Sequence, residues 1–159
     1  DATLIDEAEF QISIIKYYND DISGLSEYIN GNNNIDYKKT ALNMLKRYYR
    51  SKSDQNNELN IHARSLLMFP NDPNILNSYA WRMSELEMNL EDAITKINRA
   101  IVLSVNDKKK QANILDTKAE VLWKLGKNDE AVKTIEMAIQ LNPDNDYFVE
   151  QRDKFLSTK

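Results

Sequence analysis

The fold is decided by the stretch Leu115–Pro143, which reads LDTKAEVLWKLGKNDEAVKTIEMAIQLNP. In its second half, apolar residues recur with the period of an amphipathic helix: Ala131, Ile135, Ala138 and Ile139. The first half carries a similar stripe, formed by Leu115, Ala119, Leu122 and Trp123. Gly126 lies between the halves, where a left-handed helix end favours a residue without Cβ, and Pro143 ends the second helix. The stretch therefore predicts two short helices folded back on each other at Gly126.

Two alanines in this hairpin identify where its helices cross. Ala119 and Ala138 place almost no side chain where two helices must approach closely. The segment resembles a tetratricopeptide repeat, a helix–turn–helix unit of about 34 residues with small residues at the crossing points and a closing proline. Leu115 and Lys118 depart from the family pattern, so the first helix is the less faithful half. The resemblance implies an all-α fold built from stacked helix pairs.

The same pattern occurs again upstream of this hairpin. An offset of 38 residues aligns the second helices, with Ala93, Ile94, Ile97, Ala100, Ile101 and Leu103 matching Ala131, Val132, Ile135, Ala138, Ile139 and Leu141. An offset of 39 aligns the first helices, with Leu76, Ala80 and Met83 matching Leu115, Ala119 and Leu122. The extra residue is predicted in the turn near Glu87–Asn89. The connector Ser104–Ala112 carries Lys108, Lys109 and Lys110, which we interpret as a solvated turn.

A fainter third copy precedes these two. Tyr37, Ala41 and Met44 lie 39 residues before Leu76, Ala80 and Met83. Its second helix is predicted over Asn57–Phe69, but His62 and Ser65 interrupt the apolar stripe. Whether this pair is a true repeat stays open at the level of sequence.

The whole chain is predicted to be all-α, a right-handed stack of antiparallel helix pairs with about eight or nine helices. We expect a single domain over 1–159 because 159 residues can bury one sizeable core. Helices are predicted over Leu4–Tyr18 and Ile22–Ile29, followed by an exposed loop at Asn30–Asn34. The segments are an N-terminal helical cap at 1–34, a degenerate pair at 35–72, repeats at 73–111 and 112–145, and a capping helix at 146–159. In the last helix, burial is expected for Tyr147, Phe148, Val149 and Phe155.

Composition and missing motifs disfavour most catalytic classes. The chain has no cysteine, three scattered glycines and a single histidine, His62, so no thiol site, phosphate loop or histidine metal cluster is indicated. We therefore expect a non-catalytic protein without a cofactor or metal. No apolar run approaches the ~20 residues that span a bilayer, which predicts a soluble chain of cytoplasmic or periplasmic location. Because the chain begins at Asp1, we interpret it as a piece of a longer protein.

The family resemblance also implies a binding surface for a protein or peptide. Tetratricopeptide arrays bind peptides or partner helices along the concave face of their first helices. Carried over by the alanine register, that groove comprises Asn74, Asn77, Ser78, Trp81, Asn113, Asp116, Glu120, Trp123 and Lys124. The residues that clamp a terminal carboxylate in some members are not reproduced, because Trp81 stands where an asparagine is needed. Exposed tryptophans are typical binding anchors, although either could instead be packed between helices.

A basic segment suggests a second candidate surface. Its candidate residues are Lys38, Lys39, Lys46, Arg47 and Arg50, interleaved with tyrosines. Such a pattern is compatible with nucleic acid, but a net charge of −4 favours an ordinary solvated face.

Residues Ile75–Leu141 also resemble the helical region that follows a thioredoxin-like domain in some bacterial proteins. The resemblance rests on Asn77–Ala80–Trp81, Asp116–Thr117 and Leu125–Gly126. The alternative to a peptide-binding module is thus a structural accessory domain of such a larger protein, or a self-association module, and a homo-oligomer stays open.

Overall fold

The computed structural model describes residues 2–31 and 34–157. Within these ranges the chain forms nine α-helices and no strand, which confirms the all-α prediction. The helices are α1 (Ala2–Tyr18), α2 (Ser23–Asn30), α3 (Ile35–Ser51), α4 (Gln55–Met68), α5 (Pro73–Leu86), α6 (Leu90–Leu103), α7 (Lys108–Lys124), α8 (Asn128–Leu141) and α9 (Asp146–Ser157). Asn32 and Asn33 of the predicted loop lie outside the described residues, as do the terminal residues Asp1, Thr158 and Lys159.

The helices group into two compact units that divide between Met68 and Phe69. Helices α1–α4 form the first unit and α5–α9 form the second. The single domain over 1–159 and its five segments stay a prediction. None of the helices in the described ranges is both long and apolar enough to cross a membrane.

The first unit is built from helices that pack in chain order, α1 on α2, α2 on α3 and α3 on α4. Phe10 of α1 faces its core and stacks on the Tyr37 ring at 4.6 Å between centroids. His62 and Ser65, which interrupt the apolar stripe of α4, are both buried. The Ser65 hydroxyl donates to the Ile61 carbonyl at 2.7 Å, so its burial leaves no unsatisfied hydroxyl.

The second unit consists of two helix hairpins and a final helix. Helix α5 packs on α6, α7 packs on α8, and α9 covers α8 and part of α7. Ala119 and Ala138, which the sequence predicts at a helix crossing, are fully buried, as are their upstream counterparts Ala80 and Ala100. Ala93 and Ala131 of the second helices are fully buried as well. Phe148 and Phe155 of α9 enter the same core as Leu122 and Ile135. Alanine at the crossings thus permits the close packing on which the stack depends.

The two hairpin turns share one helix-ending motif. The amide of Lys127 donates to the Leu122 carbonyl at 2.9 Å, and the amide of Met88 donates to the Met83 carbonyl at 3.1 Å. Gly126 adopts a φ of +74°, whereas Glu87 holds the equivalent position at +51°. Asn89, also left-handed at +50°, follows as the extra residue that the unequal offsets indicate.

Two details of the sequence interpretation are wrong. Lys108–Lys110 are not a connector turn but the first turn of α7. Asp107 caps this helix, because its side chain accepts from the Lys110 amide at 3.0 Å. In α9, Tyr147 is exposed rather than buried, since Phe148 and Phe155 occupy the core-facing positions.

Candidate functional site

A cleft lies between the N-terminal halves of α5 and α7, the first helices of the two hairpins. Its volume is about 320 Å³. The lining residues are Asn74, Asn77, Asp107, Lys109, Lys110, Asn113 and Ile114. Three of the predicted groove residues therefore meet here, and they are all asparagines. Sequence reasoning missed the two lysines because it read them as a loop, although Asp107 before the lysine run is a helix-start signal.

The cleft combines amide groups with positive charge. The Asn77 Oδ1 atom is buried and has no hydrogen-bond partner within the part of the chain that the structure describes. Asn74, Asn113 and Lys109 are exposed at the cleft. Lys110 lies 3.7 Å from the Asp107 carboxylate, which partly balances its charge. Together these groups can accept hydrogen bonds from N–H groups and donate hydrogen bonds to carbonyl oxygens.

The middle of α7 is covered by α9 of the same chain. Asp116 and Glu120 are only 9% and 7% exposed. The Lys154 ammonium lies 2.6 Å from Glu120 Oε2 and 4.2 Å from the centre of the Trp123 ring. The Phe155 ring lies 5.8 Å from that tryptophan. Two of the predicted groove residues, Glu120 and Trp123, therefore contact the capping helix.

Asp116 has an unusual electrostatic environment. Burial raises the pKa of its carboxyl to about 7, the nearby Glu120 carboxylate adds to the rise, and Lys154 opposes it. No hydrogen bond to its side chain occurs among residues 2–31 and 34–157. Tyr147 on α9 is exposed, but partial desolvation of its hydroxyl raises its pKa, with a smaller contribution from Asp116.

The remaining groove residues lie in the middle of α5 and at the C-terminal end of α7. Ser78 and Trp81 are partly buried on α5, and Trp123 is partly buried on α7. Lys124 lies 2.7 Å from Glu87 in the α5–α6 turn and 4.8 Å from the Trp123 ring centre. Both tryptophans therefore keep some exposed surface.

The basic residues of α3 differ in their surroundings. Lys46 is only 6% exposed, whereas Arg47 and Arg50 are exposed. Lys38 donates to the Gly31 carbonyl, and Lys39 is partly buried. A binding role for this basic surface stays a prediction.

Metal ligands do not cluster in the described ranges. No group of three or more His, Asp or Glu side chains there could hold a metal ion.

Comparison with solved structures identifies a similar fold, whereas the sequence comparisons find no match. No protein-family model matches the chain, and no curated protein sequence matches it. The structure is similar to the NMR structure of the first TPR domain of the human RPAP3 protein. The TM-score is 0.62 at 18% sequence identity, covering 74% of this chain and 89% of that domain. This likeness confirms the predicted tetratricopeptide-like fold, while the thioredoxin-associated and bacterial resemblances stay predictions.

Proposed function

We propose that the α5/α7 cleft binds an extended peptide or a partner helix, which makes the chain a protein-interaction module. The observation that carries this proposal is the buried Asn77 Oδ1 atom, which has no hydrogen-bond partner in the described residues and lines the cleft. An unsatisfied buried acceptor costs about 1–3 kcal/mol, and a ligand N–H group would remove that cost.

The composition of the cleft supports a peptide as the ligand. Asn74, Asn77 and Asn113 offer amide groups that match the donors and acceptors of a peptide backbone. Lys109 and Lys110 would favour an acidic side chain or backbone carbonyls near the start of α7. Trp81 supplies a partly exposed aromatic surface further along α5, where an apolar ligand side chain could pack.

The residues in the middle of α7 contribute less directly to the proposed binding surface. Asp116 and Glu120 are both buried, and Lys154 of α9 pairs with Glu120, so a ligand would reach the Glu120 carboxylate only if the Lys154 side chain moved away. We therefore assign recognition to Asn74, Asn77, Ser78, Trp81 and Asn113 and treat the α9-covered residues as a support for α7.

The test uses peptides selected from a displayed random library against the full chain. Two amide contacts at about 0.5–1.5 kcal/mol each predict that Asn77→Ala/Asn113→Ala weakens the selected peptides by about tenfold. Asn98→Ala is the matched control, because Asn98 is exposed on α6 outside the cleft. Affinities are measured by fluorescence anisotropy. Alanine is a good helix former, so circular dichroism should show unchanged helicity in all variants.

Two outcomes would contradict the proposal. The library could yield no peptide that binds the chain, or the selected peptides could bind the double variant as tightly as the control. In the second case, a loss of affinity on neutralising Arg47 and Arg50 would move recognition to the basic surface of α3. Binding there that weakens steeply with salt would favour the nucleic-acid alternative.

A further inference from the structure

Helix α1 carries an exposed apolar stripe on the side that faces away from its own unit. Phe10 and Ser13 are its buried residues. On the opposite side, five large side chains are each more than half exposed: Leu4, Ile5, Ile12, Ile15 and Tyr18. At 100° of rotation per residue these five residues, with Ala8, lie on one face of the helix. The helix is therefore apolar on both sides, and only one side packs against other described residues of the unit.

The stripe has the spacing of a coiled-coil seam. Ile5, Ala8, Ile12 and Ile15 are separated by three, four and three residues, the alternation that keeps a seam facing another helix. Leu4 and Tyr18 border one edge of the stripe, and Glu9 and Lys16 border the other. A helix of 17 residues is long enough to present two heptads of this pattern.

The exposed area is sufficient for a modest self-interface. Covering five such side chains on each of two copies would remove on the order of 1,000 Å² from water, the lower end for a specific complex. Contiguous apolar patches of this kind on soluble proteins commonly mark interaction sites.

The charges at the edge of the stripe specify the orientation. In an antiparallel helix pair, the edge that carries Glu9 and Lys16 faces the same edge of the second copy, and the two edges run in opposite directions. Glu9 of each copy then lies near Lys16 of the second copy, and the two-fold axis makes this pair twice. In a parallel pair the same edge would face Leu4 and Tyr18, and neither charge would meet an opposite charge of the second copy. The antiparallel arrangement also opposes the two helix dipoles favourably.

We propose that the outer face of α1 is a homodimer interface in which two copies of α1 pack antiparallel. Ile12 and Ile15 of the two copies lie at the centre of this pair, and Glu9 pairs with Lys16 across the edge. Leu4 and Ile5 of each copy then lie against the segment that follows α1 in the other copy. This surface lies in the first unit and does not depend on the α5/α7 cleft. A membrane surface fits the helix less well, because interfacial helices are rich in lysine and arginine whereas Asp6, Glu7 and Glu9 accompany the single Lys16.

The primary test compares Ile12→Glu with Leu67→Glu by analytical ultracentrifugation. Both substitutions put a glutamate at an exposed apolar position, but Leu67 lies on α4 and is 84% exposed outside the stripe. The wild-type chain and Leu67→Glu should dimerise with a dissociation constant on the order of 1–100 µM. Ile12→Glu should weaken the dimer at least tenfold with unchanged helicity, because Ile12 lies outside the core. Its melting temperature should equal that of the wild-type chain at concentrations where both are monomeric. A wild-type chain that stays monomeric at about 200 µM, or an Ile12→Glu dimer of equal affinity, overturns the proposal.

A charge exchange tests the orientation. Glu9→Lys alone and Lys16→Glu alone each place like charges together in an antiparallel dimer, so each should weaken self-association about threefold to tenfold. Mixing the two variants should restore association as heterodimers, because each lysine at the edge of one variant then meets a glutamate of the other. Mixtures no tighter than the separate variants would overturn the antiparallel arrangement. Flotation of the chain with vesicles of anionic phospholipid, without dimer formation, would assign the stripe to a membrane surface instead.

Discussion

Asp116 is the residue whose surroundings have the clearest energetic consequence. Its carboxyl has a pKa of about 7 in the folded chain against 3.8 as the ordinary value. Between these values the folded state holds a proton that the unfolded state has lost. The contribution of Asp116 to the free energy of unfolding is therefore largest below about pH 4. It falls as the pH rises and levels off above about pH 7.

Asp116→Asn should remove this pH dependence because asparagine has the shape of the protonated acid without a charge. We expect the free energy of unfolding to rise by about 1–3 kcal/mol at pH 8 and to stay unchanged at pH 4. Urea denaturation of the full chain at a series of pH values measures both effects. Asp144→Asn, at an exposed position, is the control. A wild-type pH slope retained in Asp116→Asn would refute the assigned pKa.

Residue positions could be inferred from the sequence where a register fixes them. Asn74, Asn77 and Asn113 follow from the register of Ala80 and Ala119, and the structure brings the three together. The burial of Asp116 could not be inferred in this way. It depends on where α9 lies against α7, and that packing leaves no periodic signal in α7 itself.

At the scale of elements, the two hairpin turns show how one motif accepts different residues. Gly126 and Glu87 hold equivalent left-handed positions, at φ of +74° and +51°. A non-glycine residue in this region costs roughly 1–2 kcal/mol. The ion pair of Glu87 with Lys124 at 2.7 Å offsets little of that cost, because the glutamate is largely exposed.

Gly126→Ala should therefore lower the free energy of unfolding by about 1 kcal/mol. A Cβ atom at this position would meet nothing within 4 Å, so the cost is one of backbone conformation alone. Thermal or urea denaturation measures it, with the exposed Lys127→Ala as a neighbouring control. Unchanged stability in Gly126→Ala would show that the turn relaxes to another conformation.

Helix boundaries can be predicted from the sequence where repeat offsets or capping residues mark them. The unequal offsets of 38 and 39 located the extra residue in the Glu87–Asn89 turn. The charge density of Lys108–Lys110 favours a solvated turn, whereas the Asp107 cap is the local signal that places these lysines in the first turn of α7. The sequence of α1 contains the outward stripe as a pattern. Phe10 is also apolar and lies on the other side of the helix, so only packing decides which side is buried.

For the whole molecule, the division at Met68 and Phe69 makes a direct prediction about folding. The core around Leu115, Ile135 and Phe148 is contributed by the second unit. Residues 69–159 expressed alone should therefore be helical and unfold cooperatively, since local helix packing suffices for its hydrophobic contacts. Circular dichroism during thermal unfolding provides the measurement. A fragment with little helix and no transition would show that the second unit requires the first.

The proton held by Asp116 also makes the folding of the molecule sensitive to the solution around it. At pH 6 the folded carboxyl is largely protonated and the unfolded one is ionised, so unfolding releases about one proton. The buffer takes up that proton and contributes its own heat of ionisation. The calorimetric enthalpy of unfolding of this protein therefore depends on the buffer. Two buffers with different ionisation enthalpies should give different unfolding enthalpies at the same pH, although the free energy of unfolding is the same.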